Sequence, residues 1–210
     1  MSYKKNILLL ILIFLSVNTF GQKLNDFYTS FSENGIKHNL NFDENGIVEI
    51  GSIRRHMSPF YDIVGTYHKR GDSIYIEMEK INSLELSKAK KFGLESFSEM
   101  KLVLYQNGSE LIDIKNQTVY VTSKRLNNKK IKRKSIAFID NQKYTYERIV
   151  TDGYGLIRRV PRKNKRFDKA LAGVLENPEN YEIKVIRGLA AYEKYGLIGI
   201  NGVSIMNKKN

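Results

Sequence analysis

The residue types that could catalyse a reaction or bind a metal are few and widely spaced in this chain of 210 residues. The histidines are His38, His56 and His68, and they lack the H-E-x-x-H pattern that places two imidazoles on one helix face for zinc. Glu77 and Glu79 share one face of a predicted strand, where carboxylates are far more often solvated than catalytic. The absence of cysteine excludes thiol catalysis and cysteine-ligated zinc. We therefore predict no enzyme activity, no cofactor and no metal site.

Positive charge is the chemical feature that dominates the composition. The chain holds 35 lysines and arginines against 22 acidic residues, a formal charge of +13. Two basic stretches concentrate this charge. The residues predicted to bind an anionic surface or partner are Lys129, Lys130, Lys132, Arg133, Lys134, Arg158, Arg159, Arg162, Lys163, Lys165 and Arg166. The alternative is that each stretch is an ordinary solvated surface.

The first 21 residues have the three-part pattern of a cleavable secretory signal peptide. Lys4 and Lys5 precede an apolar run over 7–17, and Thr19-Phe20-Gly21 supplies the small residues of a cleavage site. The run is too short for a spanning helix, which needs about 20 apolar residues. We predict export to the periplasm or the outer membrane, with no membrane span in the mature chain. Exported proteins rarely meet nucleic acid, so the predicted partner is an envelope protein or the anionic outer-membrane surface.

Residues 22–123 are predicted to form an antiparallel β meander. Apolar and polar residues alternate in its strands, for example over 73–79, and His38 falls on an apolar face and should be packed in the core. A short helix is predicted over Ile81–Phe92. Turns that contain glycine separate the strands, at 43–46, 69–72 and 106–109. Six or seven short strands of this kind favour a small sandwich or a partly open barrel.

The composition and the hydrophobic pattern change in the second half of the chain. Seven of the eleven residues over 124–134 are Lys or Arg, which is typical of a solvated basic linker. After it, short apolar runs and helical spacing predict an α/β arrangement. Its elements are strands at 135–140 and 142–149, a helix at 167–175, and a strand–helix–strand unit over 183–206.

The end of the chain carries a specific motif. The strings I-x-V-I-x-G, Ala190-Ala191 and Y-G-x-x-G-x-N-G-V resemble the closing segment of the plug domain of TonB-dependent outer-membrane receptors. The motif residues, to which we assign a structural role, are Gly188, Tyr195, Gly196, Gly199, Asn201 and Gly202. The resemblance extends more loosely back to Ile136 and implies a plug-like α/β domain. Two departures are Asn141, where the family has glycine, and a basic insertion over 151–168.

The resemblance does not imply transport. A receptor barrel would need several hundred further residues, so we expect this chain not to be a transporter by itself. Similar motifs also end some periplasmic or cell-surface proteins, where they look like interaction modules. The same fold can serve many functions, so the motif alone does not decide one.

Taken together, the patterns predict an α+β protein. A β-rich domain over 22–123 is followed by a basic linker over 124–134 and a plug-like domain over 135–210. The predicted function is that of a non-catalytic envelope protein whose plug-like domain is a protein- or surface-interaction module.

Two other functions stay open at this point. The first is a carrier of a small apolar or glycan ligand, held in the β domain by aromatic residues: Phe42, Phe60, Tyr61, Tyr67 and Tyr75. Such a carrier needs a cavity between the strands. The second is an unrecognised hydrolase, which would require the three histidines or a carboxylate pair to converge in one cleft.

Overall fold

The structure is a computed structural model, and it describes residues 24–34, 38–52, 62–91, 94–128, 131, 133–151 and 156–209. The predicted signal peptide lies outside these ranges. So do several of the residues singled out above: His56, Phe60, Tyr61, Lys129, Lys130 and Lys132.

The first eight strands form a closed antiparallel barrel in which each strand pairs with the next. Strong alternation and short turns build it, because each hairpin fixes the register of the following strand. The strands are β1 (Phe27–Phe31), β2 (His38–Phe42), β3 (Ile47–Ser52), β4 (Asp62–Arg70), β5 (Ser73–Met78), β6 (Lys101–Asn107), β7 (Glu110–Asp113) and β8 (Thr118–Thr122).

The barrel closes where its first and last strands meet. β1 pairs with β8, with Tyr28 opposite Thr122 and Phe31 opposite Val119. Gly65 in β4 allows tight curvature, because a Cβ at this position would lie 2.5 Å from the carbonyl oxygen of Glu77 in β5. Glycine within a strand often marks such a bend. The prediction of a small sandwich or a partly open barrel is therefore wrong, since the sheet curves until its two edges pair.

The interior of the barrel is filled by side chains from its own strands. In β5, Ile74, Ile76 and Met78 are buried while Tyr75 and Glu77 are exposed, as the alternation predicted. Eight strands enclose a space just wide enough for side chains to fill. Members of this core that are under 2% exposed include Leu40, Phe42, Val48, Ile50, Ile74, Leu104, Leu111 and Tyr120. Each such side chain stabilises the fold by about 1.5–3 kcal/mol through burial.

The connection between β5 and β6 contains a helix, as predicted. Helix α1 spans Ser83–Lys91, and the Asn82 side chain accepts a hydrogen bond from the backbone N–H of Glu85 at 2.9 Å, which satisfies a free donor of the first turn. Four apolar residues of this connection belong to the barrel core or pack against it: Ile81, Leu94, Phe97 and Met100. The connection thus adds its own side chains to the core.

A second, smaller sheet has the strand order β10-β9-β14-β13. Its strands are β9 (Lys134–Ile139), β10 (Gln142–Glu147), β13 (Tyr181–Ile186) and β14 (Val203–Lys208). β14 runs parallel to β9, and the other two pairs are antiparallel. Two short strands, β11 (Val150–Thr151) and β12 (Ile157–Arg159), form a separate ribbon.

Two helices cover opposite faces of this sheet. Helix α3 (Lys165–Glu176) packs Phe167 and Val174 against one face. Helix α4 (Gly188–Tyr195) packs Ala191 against the other, where Ile136 and Val203 lie. β9 is therefore buried on both sides, which explains why its sequence shows a continuous apolar run.

The prediction of an α+β protein with a plug-like α/β C-terminal domain is wrong. The described chain is mostly strand, with the closed eight-stranded barrel and a small second sheet. The strand–helix–strand unit over 183–206 is present, but β13 and β14 are antiparallel neighbours. The eight residues of α4 therefore reverse the chain within a hairpin and do not form a parallel crossover.

The predicted boundaries at 123/124 and 134/135 stay predictions; helix α2 (Ser123–Leu126) follows directly on β8.

The turn between β9 and β10 explains one departure from the plug pattern. Asp140 and Asn141 both have positive φ, +48° and +65°, as a two-residue hairpin turn with right-handed strand twist requires. Asparagine tolerates this conformation better than most residues. The Asp140 carboxylate also accepts a hydrogen bond from the backbone N–H of Lys208 at 2.9 Å, so the turn is tied to the last strand.

The barrel and the second sheet pack against each other through α4 and the 3₁₀ turn Gly196–Asn201. Phe31, Val119 and Val121 of the barrel form a buried cluster with Ile200 of this turn. Beside the cluster, Glu110 is 4% exposed and lies 3.1 Å from the guanidinium of Arg125. Burial of a carboxylate is tolerated where it is paired in this way. The contact joins the two sheets into one packed unit.

Gly188 lies at the closest point of this contact. Its φ is +60°, and a Cβ there would lie 2.7 Å from the backbone nitrogen of Glu33 and 2.8 Å from the carbonyl oxygen of Gln117. That same carbonyl accepts the backbone N–H of Leu189 at 3.2 Å. Only glycine meets both conditions, the left-handed conformation and the backbone approach.

Candidate binding surface

The two basic stretches meet at one carboxylate, Glu147, the last residue of β10. Its carboxylate accepts a hydrogen bond from the backbone N–H of Arg162 at 3.0 Å. This bond and the positive charges of Arg159, Arg162 and Arg133 hold the pKa of Glu147 below its usual range. Lys134 is its direct neighbour on β9. Residues from both basic stretches are thus gathered at one edge of the second sheet.

We name this region the basic surface. Its residues are Arg133, Lys134, Arg159, Arg162, Lys163, Lys165 and Arg166. Arg133 and Lys134 are half-buried, and the other five are exposed. Of the predicted binding residues, Arg158 lies in β12 next to them, whereas Lys129, Lys130 and Lys132 fall outside the described residues.

Local hydrogen bonds fix the backbone that presents these charges. The side-chain amide of Asn164 donates to the Thr145 carbonyl at 3.1 Å, which holds the segment along the edge of β10. The same side chain accepts the backbone N–H of Phe167 at 3.2 Å and so starts α3. The Phe167 ring then stacks on Tyr146 at 4.2 Å between centroids. The basic surface therefore rests on a packed strand edge.

The charge distribution at the start of α3 opposes helix stability. Lys165 and Arg166 occupy its first turn, and Asp168 is the acidic residue there. The N-terminus of a helix carries the positive end of its dipole, so cations cost stability at that position, typically a few tenths of a kcal/mol to about 1 kcal/mol each. Features that oppose local stability are often functional.

Exposed aliphatic side chains lie in the same part of the chain. Ile149 is 57% exposed, Leu156 67%, Ile157 58% and Val160 78%. We name these four the aliphatic set. Ile157 lies in the β11–β12 ribbon and the other three flank it. Val150 of the ribbon pairs with Arg159, the residue whose charge acts on Glu147. Apolar and basic groups are thus presented together.

The two histidines that the structure describes, His38 and His68, do not share a cleft. His38 is buried in the barrel, where its Nε2 lies 3.0 Å from the Tyr120 hydroxyl and its Nδ1 lies 3.2 Å from Ser30 Oγ. Burial lowers the pKa of His38 to about 4, so the ring is neutral. His68 is exposed on the outer wall and stacks on Tyr75. His38 is therefore the packed core histidine that the sequence predicted.

The other candidate groups are equally dispersed. Glu77 is exposed and pairs with Lys101 at 2.8 Å, and Glu79 is exposed as well. Of the aromatic residues proposed for a carrier, Phe42 and Tyr67 belong to the packed barrel core whereas Tyr75 lies outside it. Within the part of the chain that the structure describes, no cluster of three or more His, Cys, Asp or Glu could hold a metal ion.

The residues of the C-terminal motif have structural positions. Tyr195 packs on Phe138 with ring centroids 5.6 Å apart, and the Asn201 amide donates to the Ile131 carbonyl at 3.4 Å. A Cβ at Gly199 would lie 2.6 Å from the Ala191 carbonyl. Gly196 and Gly202 have φ of +64° and +100°. The motif shapes the contact between α4, the sheet and the barrel.

Sequence reasoning missed Glu147 and the aliphatic set. The sequence contains a signal for both, since one acidic residue interrupts the basic region and apolar residues are interspersed with arginines over 149–160. Exposure of the apolar residues could not be foreseen, because such residues are usually assigned to a core.

The chain matches no protein-family model, no curated protein and no solved structure. The resemblance to receptor plugs therefore stays a prediction from the sequence. Among the described residues, none of the helices has the length and apolar character needed to cross a bilayer.

Proposed function

We propose that this protein is a non-catalytic component of the cell envelope that binds an anionic partner through the basic surface. The observation that carries the proposal is that Glu147 brings the two basic stretches together, because its carboxylate accepts the Arg162 backbone N–H at 3.0 Å and its strand position lies opposite Lys134. Two independent solvated stretches would not be expected to lie beside the same carboxylate. A surface with this excess of positive charge attracts anions and raises their rate of association.

Export remains part of the proposal. It is supported by the signal-peptide pattern over 1–21. The proposed mature chain begins at Gln22 and loses Lys4 and Lys5, so its formal charge falls from +13 to +11. N-terminal sequencing of the protein recovered from a periplasmic and outer-membrane fraction tests this, and an intact Met1 in that fraction would contradict it.

The binding role predicts a large effect of neutralising three arginines. The variant Arg133→Gln/Arg159→Gln/Arg162→Gln should bind immobilised dextran sulfate, a soluble polyanion probe, roughly 100-fold more weakly than the wild type. Each basic residue near an anionic surface contributes about 1 kcal/mol, and three of them together account for this factor. Surface plasmon resonance at several salt concentrations measures the change.

A matched control separates location from net charge. Lys88, Lys90 and Lys91 are exposed on α1, so Lys88→Gln/Lys90→Gln/Lys91→Gln removes the same formal charge from another part of the molecule. The control variant should retain affinity within a few-fold of the wild type. Equal losses in the two variants would show that net charge alone governs binding and would contradict a defined surface. Circular dichroism melts verify that both variants are folded.

Removing the central carboxylate should have the opposite effect. Glu147→Gln keeps an oxygen that can accept the Arg162 N–H but deletes the negative charge that offsets the surrounding arginines. We expect affinity for dextran sulfate to rise roughly fivefold, the equivalent of one unit charge near an anionic surface. Unchanged or weaker binding in the same assay would show that the charge of Glu147 does not oppose the partner and would contradict a binding surface centred on this residue.

The carrier function has less support. The barrel interior is occupied by a packed cluster that includes Phe42 and Tyr67, two of the aromatic residues proposed to hold a ligand. A small eight-stranded barrel filled in this way has little room for a guest.

A further inference from the structure

We infer that the anionic partner is a lipid surface, and that the aliphatic set enters its apolar layer while the basic surface contacts the headgroups. This inference rests on the proposed function and specifies the ligand of the same site. The chemical class is a bilayer that contains anionic lipids.

The side chains of the aliphatic set are exposed to solvent. Ile149, Leu156, Ile157 and Val160 are each more than half exposed, and they occur within twelve residues of sequence around one small ribbon. Single exposed apolar residues need no explanation, but a group in one place usually marks a contact surface. Keeping four such side chains in water gains nothing for folding.

Basic residues surround the aliphatic set. Arg159 lies in the ribbon itself, and Arg162 and Lys163 follow Val160 after one proline and are exposed. Segments that bind a membrane surface combine apolar and basic residues in this way. Their aliphatic side chains lie at the boundary with the acyl chains, and their Lys or Arg side chains lie at the level of the headgroups. Long basic side chains can extend along the apolar groups and keep their charges in the headgroup layer.

The combination of the two kinds of side chain favours a bilayer over an acidic protein. An acidic protein surface complements the arginines, but it would cover the aliphatic set only if it carried a matching apolar patch beside its carboxylates. A bilayer supplies both layers at once, an anionic plane above hydrocarbon. The start of α3, with Lys165 and Arg166 at the positive end of the dipole, adds two exposed charges five and six positions after Val160.

The chain lacks tryptophan, so a single introduced tryptophan reports its own surroundings. In the mature chain we expect Val160→Trp to shift its emission to the blue on vesicles of phosphatidylcholine and phosphatidylglycerol, and to be quenched by brominated acyl chains. Tyr105→Trp is the matched control, because Tyr105 is exposed on the barrel wall, at 43%, and should be unaffected. Vesicles of phosphatidylcholine alone should give little binding.

A second variant measures the apolar contribution without changing charge. Ile157→Ser/Val160→Ser should weaken binding to the anionic vesicles by roughly tenfold or more, because burial of these side chains is lost. Its affinity for dextran sulfate should stay that of the wild type.

The outcomes separate the two proposals. If Val160→Trp binds anionic vesicles without a blue shift or quenching, insertion is overturned. If dextran sulfate is bound but anionic vesicles are not, the lipid is overturned while the proposed function stands, and an acidic envelope protein becomes the partner. If neither probe is bound by a folded protein, both proposals fail.

Discussion

Replacing Gly188 with alanine should lower the free energy of unfolding by roughly 2–5 kcal/mol. The left-handed conformation, φ +60°, costs a side-chain-bearing residue about 1–2 kcal/mol. The new Cβ would also meet backbone atoms of Glu33, Gln117 and Ser32 at 2.7–2.8 Å, and such overpacking typically costs about 1–3 kcal/mol. Backbone atoms of both the barrel and α4 would have to move apart. Urea denaturation followed by circular dichroism measures the change.

Two other glycines separate the two causes. Gly196 has φ +64° but open space around its Cβ position, so Gly196→Ala should cost only the conformational part, about 1–2 kcal/mol. Gly173 lies within α3 with nothing within 4 Å, so Gly173→Ala should stabilise by about 0.5–1 kcal/mol. If Gly188→Ala is no worse than Gly196→Ala, the close approach of α4 to the barrel is not maintained in solution.

Lowering the pH from about 6.5 to about 4 should cost about 3 kcal/mol of stability through His38 alone. Burial lowers the pKa of this histidine to about 4 in the folded protein, whereas an unfolded histidine titrates near 6.5. Between these values the unfolded chain binds a proton that the folded chain does not. Stability is therefore complete above about pH 6.5 and falls as the pH drops through this window. Thermal melts across the range measure it.

Structure explains why the ring stays neutral. Both ring nitrogens of His38 face hydroxyl groups, Ser30 and Tyr120, which can donate or accept, so the neutral ring is satisfied without a counter-charge. His38→Gln should flatten the profile between pH 4 and 6.5, whereas His68→Gln, on the outer wall, should leave it unchanged. Carboxylates whose pKa is lowered, Asp43 and Glu147, lose their contribution as the pH falls below their unfolded values of 3.8 and 4.5, at the acidic end of this window and beyond it. A slope that persists in His38→Gln would assign the effect to another group.

Much of the barrel could be predicted from local sequence, and its closure could not. The alternation in β5 and the Asn45-Gly46 turn fix which side chains face inward and how neighbouring strands connect, because both are properties of a few adjacent residues. The pairing of Tyr28 with Thr122 joins residues at opposite ends of the domain. The sequence of neither strand indicates which strand it pairs with. A sandwich, an open barrel and a closed barrel therefore have nearly the same local sequence pattern.

The same limit applies to the second sheet and the binding surface. Strand, helix and strand were correctly predicted over 183–206, but the antiparallel pairing of β13 with β14 depends on how α4 packs between the sheet and the barrel. The basic residues were identified from their density in sequence. Their meeting point at Glu147 depends on an Arg162 backbone contact fifteen positions away, which charge patterning cannot reveal.

The seam between β1 and β8 also imposes an order on assembly. During synthesis from the N-terminus, the barrel cannot close before Thr122 has left the ribosome, since that residue pairs with Tyr28. Contacts between residues so far apart in sequence form slowly. Val119 and Val121, against which Ile200 packs, take their places in the same event. The turn that carries Ile200 therefore has no complete barrel wall to pack on until synthesis has passed β8 and the barrel has closed.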